Sequence, residues 1–286
     1  MKRLGLRPRH PRLRFALVPR ERDAPPPHVR LDLGQICDTV DQVLELVRRE
    51  WRPQENRPNV NDWNDEFLVA AFARAFRCLR SVREIACRGE ADDAAVLTRA
   101  LIALTLRYLW IGRAPGEQRR ERLERLRRRA ADDRATLGEE LELVAYLPAG
   151  TSAEMRAVAD ELKDAGVKGI PDDRSIAKQL DRELNPEAPH WFETLYARVY
   201  RWTSEPAHYG LAALLQGFEV APMPGPGILA IDRRDDERAA EMLGLALISF
   251  ATLADFSEPV VRHGLTQQIG DLVQQHHQRL LEAQEE

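Results

Sequence analysis

The chain is poor in the residues that usually announce a chemistry. It has three cysteines in 286 residues, Cys37, Cys78 and Cys87, an odd number with no CxxC pair. That argues against a structural zinc site and a disulfide framework, and for a reducing compartment. Cys78 and Cys87 fall on one predicted helix, too far apart along its axis to bond. Long hydrophobic runs are also missing. The longest, Ala100 to Ile111, is broken by Thr105 and Arg107 and falls short of a bilayer span. The N-terminus has no apolar core of the secretory kind, so the expectation is a cytoplasmic protein that meets no membrane. No P-loop, GxGxxG, GxSxG or HExxH occurs. His276 and His277 are adjacent and point about 100° apart on a helix, so they cannot share a metal. His263 has no carboxylate at ligand spacing. His263 and the His276–His277 pair are expected at the surface, with no metal and no cofactor.

What is present reads as a helical protein. Apolar residues make up 44% and charged residues 31%, an ordinary globular balance. Charge is unevenly spread. Residues 1–30 hold nine Lys and Arg against Glu21 and Asp23, a net +7, which leaves −11 on residues 31–286. Pro8, Pro11, Pro19 and Pro25-Pro26-Pro27 forbid a helix there, so 1–30 reads as a basic Pro/Arg-rich arm. Such an arm is either solvated or suited to nucleic acid or an acidic surface.

Residues 31–286 read as one helical domain. Leu33, Ile36, Val40, Val43, Leu44 and Val47 recur at helical spacing from Asp32 to Trp51. A second helix, capped by Asn61 or Asp62, runs to Arg88 and stops at Gly89. A third, capped by Asp92 or Asp93, covers Ala94 to Ile111 and is apolar on nearly every side, as a central core helix would be. Residues 116–146 form a long charged helix. Its Arg-rich part, Arg113 to Arg129, carries Glu117, Glu121 and Glu124 at pairing distance and reads as a solvated face. Thr151 to Glu154 resembles a capping box opening a helix to about Gly166. Further helices are expected from Asp172 or Asp173 to Leu184, from His190 to Trp202, from a break at Thr203 to Pro206 on to about Gln216, from about Asp235 to Phe256, and from Glu258 to near the end. Residues 218–234, with three prolines and two glycines, read as one long non-helical loop or small hairpin. The fold class is therefore all-α, a multi-helix bundle, with no strand–helix alternation of the Rossmann or barrel kind.

One segment, Tyr200-Arg201-Trp202-Thr203-Ser204-Glu205-Pro206-Ala207-His208, carries the most chemistry. Thr203 or Ser204 suits an N-cap, and Pro206 is tolerated in a first turn. His208 is then expected near a helix N-terminus, where positive potential attracts phosphate and disfavours imidazolium. Arg201, at the end of the preceding helix, can offset charge on a phosphorane. Arg99 lies in the apolar third helix and requires a partner if buried; Glu84 on the helix before it is the expected one.

Arg201-x6-His208 resembles the Arg-x(4–6)-His motif of the HEPN ribonucleases (higher eukaryote and prokaryote nucleotide-binding). That resemblance implies a toxin or defence-type endoribonuclease that needs no metal, cleaves RNA by 2′-hydroxyl attack and works as a homodimer. His208 would be the acid–base group and Arg201 the stabiliser, with Ser204, Tyr200, Arg99 and Glu84 in support. The chain also resembles a bacterial family known as a domain of unknown function, number 5677. The resemblance rests on Leu97-Thr98-Arg99-Ala100-Leu101 after a helical hairpin, the Arg-rich helix that follows, and the aromatic segment Tyr200 to His208. It covers about residues 60–260 and departs at Ala103, where that family tends to carry Glu. Two other readings stand beside the ribonuclease. One is a non-catalytic helical interaction module. The other is a small-molecule-binding bundle with Arg99 facing a cavity.

Overall fold

The computed structural model describes residues 31–51, 63–143, 148–184, 190–207 and 234–282. The basic arm, most of the 218–234 loop and His208 lie outside them. Among the described residues there are nine α-helices and no strand. They are α1 (Leu33–Glu50), α2 (Trp63–Ala86), α3 (Ala91–Gly112), α4 (Gly116–Leu143) and α5 (Thr151–Asp164). After these come α6 (Asp173–Leu184), α7 (Trp191–Ala207), α8 (Asp236–Val261) and α9 (Thr266–Glu282). The chain is all-α, as its periodicity predicts.

Two helices form the centre. α3 and α8 pack on each other, and α2 lies against both. α1 and α9 cover α8 on one flank, while α6 and α7 cover α3 on the other. Phe72, Leu79, Leu101, Leu106, Leu109, Phe250 and Leu253 are sealed between these layers. Small residues let α3 and α8 approach: Ala94, Ala95, Ala239, Ala240 and Ala246 are wholly buried. Thr98 and Thr105 donate across the seam to the carbonyls of Met242 (3.2 Å) and Ser249 (3.4 Å). α3 and α8 are both long and apolar enough to cross a membrane, contrary to the reading from apolar runs. Here 61% of each apolar stretch is buried inside the bundle.

Local chemistry sets most helix ends. Asp32 caps α1 by accepting from Gln35 N at 2.9 Å, and Asp172 caps α6 by accepting from Ser175 N at 2.7 Å. α3 begins three residues before the expected Ala94, with Glu90 at the cap and Asp92 and Asp93 in the first turn. There they favour the helix dipole without capping it. The expected capping box at Thr151 does not form. Gly150, at φ 92°, is the cap, and the Glu142 carboxylate of α4 accepts from Ser152 N at 2.5 Å instead. The expected break between Phe256 and Glu258 is absent too. α8 runs through Pro259 to Val261 and ends at Arg262 and Gly264, both in the left-handed region.

The cysteines correct a sequence expectation. Cys37 and Cys87 form a disulfide, with Cα atoms 6.4 Å apart, tying α1 to the turn after α2. The odd count concealed a pair from different helices, and the cysteine-based case for a reducing compartment falls with it. Cys78 is free, and burial pushes its thiol up.

Candidate functional site

Arg99 and Tyr200 are expected to support the site, and the structure brings them together. Arg99 projects from α3 toward α7, and its guanidinium carbon lies 3.9 Å over the centre of the Tyr200 ring. One turn earlier on α7, Tyr196 stacks on Tyr200 with centroids 4.1 Å apart. Arg99, Tyr200 and Tyr196 thus form a ladder of three planar groups, each half-buried. Guanidinium on a tyrosine face is an electrostatic attraction that strengthens with desolvation. Burial and the adjacent Tyr200, with smaller contributions from Asp173 and Asp172, push the Tyr196 phenol up to about 12. It is a proton donor at neutral pH. Tyr196 was missed in the sequence, although its spacing of four from Tyr200 is the signal of two rings on one helical face.

Glu84 does not pair with Arg99. It is exposed and meets Arg80 of its own helix at 3.8 Å. Arg99 is only half-buried, so a ring face supplies what a buried guanidinium would need from a carboxylate. Among the described residues no carboxylate pairs with Arg99.

The segment Thr203 to Pro206 is not a helix start. α7 continues unbroken to Ala207, so Thr203 and Ser204 are interior positions and neither caps a helix. Pro206 lies in the last turn, where its missing N–H leaves one carbonyl a turn earlier without its intrahelical donor. Arg201 is thus helical and directly follows Tyr200 in the chain. His208 lies outside the described residues.

The same face holds a second polar cluster one step along α3. Arg107 meets Asp173 of α6 at 2.9 Å. The Asp181 carboxylate, buried on α6, accepts from the N–H groups of Phe192 and Glu193 at 2.8 and 2.9 Å. It fixes the N-terminus of α7 and hence the direction in which Tyr196 and Tyr200 are presented. At the outer end of α3, Arg122 of α4 is 3% exposed rather than solvated. It donates to the Trp110 carbonyl and to Glu183 at 3.2 Å, with its guanidinium 4.8 Å over the Trp110 ring. Elsewhere on this helix Arg125 meets Glu121 (2.5 Å) and Arg129 meets Asp133 (3.0 Å), the self-pairing expected, while Arg119 and Arg128 donate to the carbonyls of Gly112 and Val167.

Both histidine positions expected at the surface include a buried ring. His276 is buried where α9 meets α1, its Nδ1 3.3 Å from the Thr39 hydroxyl, while His277 beside it is exposed. Burial, then Arg279 and His277, lower the His276 pKa. His263 is 2% exposed and stacks on Phe72 with centroids 4.9 Å apart. Its Nδ1 lies 2.7 Å from Glu258, and its Nε2 lies 2.9 Å from the Ala254 carbonyl and 3.4 Å from Ser257 Oγ. Serine, histidine and glutamate in this order imitate a nucleophilic triad. The carbonyl only accepts, so Nε2 must carry its proton toward Ala254 and cannot take one from Ser257. The cluster is a knot that closes the C-terminus of α8. Burial raises the Glu258 carboxyl. His263, the Gly264 N–H and the Thr266 hydroxyl outweigh that, so it titrates below its ordinary value of 4.5. A lowered folded pKa gives stability above that ordinary value, lost as pH falls through the folded one. Glu258→Gln should therefore flatten part of the acid limb of a urea-stability profile below about pH 4.5. An unchanged limb would show that Glu258 titrates alike folded and unfolded.

Among the described residues no group of three His, Cys, Asp or Glu side chains is placed to hold a metal ion. A family model described as a family of unknown function (DUF5677) matches residues 65–220. That range contains the whole Arg99–Tyr200–Tyr196 ladder. No curated protein and no solved structure matches the chain.

Proposed function

The chain belongs to the family of unknown function DUF5677, and we propose that it is an endoribonuclease acting through Arg201 and His208 without a metal. The observation that carries the reading is the Arg99 guanidinium 3.9 Å over the ring of Tyr200, the chain neighbour of Arg201. It puts a cation from the central helix beside the segment that holds the Arg-x6-His motif. In this reading the RNA 2′-hydroxyl attacks the adjacent phosphorus and the 5′-oxygen leaves. His208 takes the hydroxyl proton and returns one to the leaving oxygen. Arg201, with Arg99 nearby, offsets the charge of the phosphorane. The products are a 2′,3′-cyclic phosphate and a 5′-hydroxyl. Because α7 runs through Ser204, no helix N-terminus at that point holds His208 neutral. Its role as a base then rests on the general capacity of imidazole to take and give a proton near neutral pH. We propose further that two copies associate, each supplying one such segment to the shared site.

The test is cleavage of a single-stranded RNA by the purified full chain in the presence of EDTA. Wild type should release fragments ending in a cyclic phosphate. His208→Ala should slow this by about 100- to 10,000-fold, and Arg201→Ala by about 100-fold or more. RNA decay that survives both substitutions, or that requires a divalent cation, would sink the reading.

A non-catalytic interaction module is favoured by one different observation. Leu137, Leu143 and Val158 stand exposed on the α4–α5 hairpin, at 53%, 88% and 44%. α5 packs on little except α4, so the hairpin projects from the body. Exposed apolar side chains gathered on one projection are the usual mark of a protein contact. The third, small-molecule reading has no such observation in its favour among the described residues, where Arg99 is stacked on Tyr200.

A further inference from the structure

We propose that the Arg99–Tyr200–Tyr196 ladder binds one nucleotide of a single-stranded nucleic acid, with the phosphate at the edge of Arg99 and the base stacked on Tyr196. The inference deepens the ribonuclease reading and rests on it for the site's purpose, but its chemistry is that of binding alone.

Three features carry it. First, Tyr200 covers one face of the Arg99 guanidinium at 3.9 Å. Face stacking leaves the in-plane N–H groups directed sideways, where a guanidinium takes a phosphate with two parallel hydrogen bonds. No carboxylate among the described residues competes for them. A lysine there could not hold this geometry, because an ammonium has no plane to stack. Second, the ladder is ordered by polarity. Its cationic end is Arg99, and its neutral aromatic end is Tyr196, 4.1 Å beyond Tyr200. A nucleotide has the same polarity, with a charged phosphate at one end and a planar base at the other. Laid along the ladder, it matches charge to charge and plane to plane. Base-on-tyrosine stacking is indifferent to which base is present, so the site should not discriminate sequence strongly. Third, the ladder is held rigidly without being sealed. Tyr196 and Tyr200 lie on one face of a helix whose N-terminus is fixed by the buried Asp181. Arg99 projects from the core helix α3, yet all three side chains remain half-exposed. Rigid aromatic groups lose little entropy when they engage a ligand, which makes them efficient contacts. A base paired in a duplex cannot offer its face, so the ligand must be unpaired.

The experiment measures binding with probes that cannot be cleaved by 2′-hydroxyl attack, so it is separate from the test of catalysis. Fluorescence anisotropy of the full chain is recorded with a short 2′-deoxy single strand, the same strand made abasic at successive positions, the matching duplex, and inorganic polyphosphate. The single strand should bind most tightly. Tyr196→Ala should weaken it by about 5- to 100-fold, the equivalent of one stacked base, while Tyr196→Phe should bind as wild type. An abasic position at the ladder should weaken wild type as much as Tyr196→Ala does, and the two losses should not add. Arg99→Lys should weaken the strand and polyphosphate alike. Thermal melting of each variant identifies any that has lost its fold, and Tyr196→Phe provides a reading even if Tyr196→Ala does not fold. Equal binding of intact and abasic strands, or of single strand and duplex, would overturn the proposal. If base-dependent binding holds but RNA is not cleaved, the ribonuclease reading falls and the nucleotide site stands. If RNA is cleaved while binding ignores the base, the reverse follows.

Discussion

Reducing the Cys37–Cys87 disulfide should lower the unfolding free energy by about 4 kcal/mol. The bond joins residues separated by 50 in sequence, and closing a loop of that size in the unfolded chain removes about that much entropy at 25 °C. Its position suits such a clamp. α1 otherwise meets the body chiefly through α8 and α9 and touches α2 sparsely. The disulfide and the Arg83–Asp41 ion pair supply the direct tie to α2. The turn that holds Cys87 also grips the start of α8. Asp235 N donates to the Gly89 carbonyl at 3.0 Å, and a side chain on Gly89 would meet Asp236 and Arg234. Urea unfolding of the oxidised protein, the reduced protein, Cys37→Ser and Cys87→Ser provides the measurement. The last three should coincide, and reductant should leave either serine variant unchanged. A loss under about 1 kcal/mol would mean that the cross-link constrains little in the unfolded chain. Further destabilisation of the serine variants by reductant would point to a different pairing.

The same bond shows where sequence reading succeeds and where it stops. Periodicity and Asp32 identify α1 because both are local: apolar spacing sets the face and one side chain sets the start. The apolar character of α3 marks it as central for the same reason. Pairing of Cys37 with Cys87 is a tertiary fact, since it depends on how α1 crosses the α2–α3 turn. Arg99 is instructive in another way. Its need for a partner follows from its place on an apolar helix, but the partner is a ring on α7 rather than a carboxylate on α2. Charge alone suggested Glu84, and the half-exposed setting made a π face sufficient. Thr203 and Ser204 misled for a related reason. N-cap residues next to a proline usually open a helix, yet α7 runs through all three positions and ends at Ala207. His263 and His276, expected at the surface, are covered by helices distant in sequence: Phe72 of α2 stacks on His263, and Thr39 of α1 meets His276.

Arg122→Ala should cost about 3 kcal/mol, the largest effect expected of a single charged residue in the described core. An α-helix ends with carbonyls that have no intrahelical partner, and a cation there also opposes the negative end of the dipole. Trp110, in the last turn of α3, is buried, so water has little access to its carbonyl. α4 turns back and supplies arginines instead. Arg122 donates to the Trp110 carbonyl, and Arg119 donates to that of Gly112 at 2.9 Å. The other edge of Arg122 reaches Glu183, which also accepts from Gln179 at 2.7 Å, while the Trp110 indole donates to Gln179 at 2.9 Å. One guanidinium thus joins α3, α4 and α6. Truncating it strips a buried carbonyl of its donor, opens a cavity and leaves Glu183 without its cation. Removing one partner of a fully buried pair costs about 3–5 kcal/mol. Glu183 is 36% exposed and recovers part of its hydration, which places the expected loss at the lower end. Arg122→Met separates the contributions, since it fills the space over Trp110 but donates nothing. It should recover roughly a third of the loss if packing matters as much as each hydrogen bond. Chemical unfolding of both variants, with Glu183→Gln completing a double-mutant cycle, decides the matter. If Arg122→Ala falls within 1 kcal/mol of wild type, α3 does not need α4 to close its C-terminus, and the α4–α5 hairpin is an appendage that the core holds only by the chain.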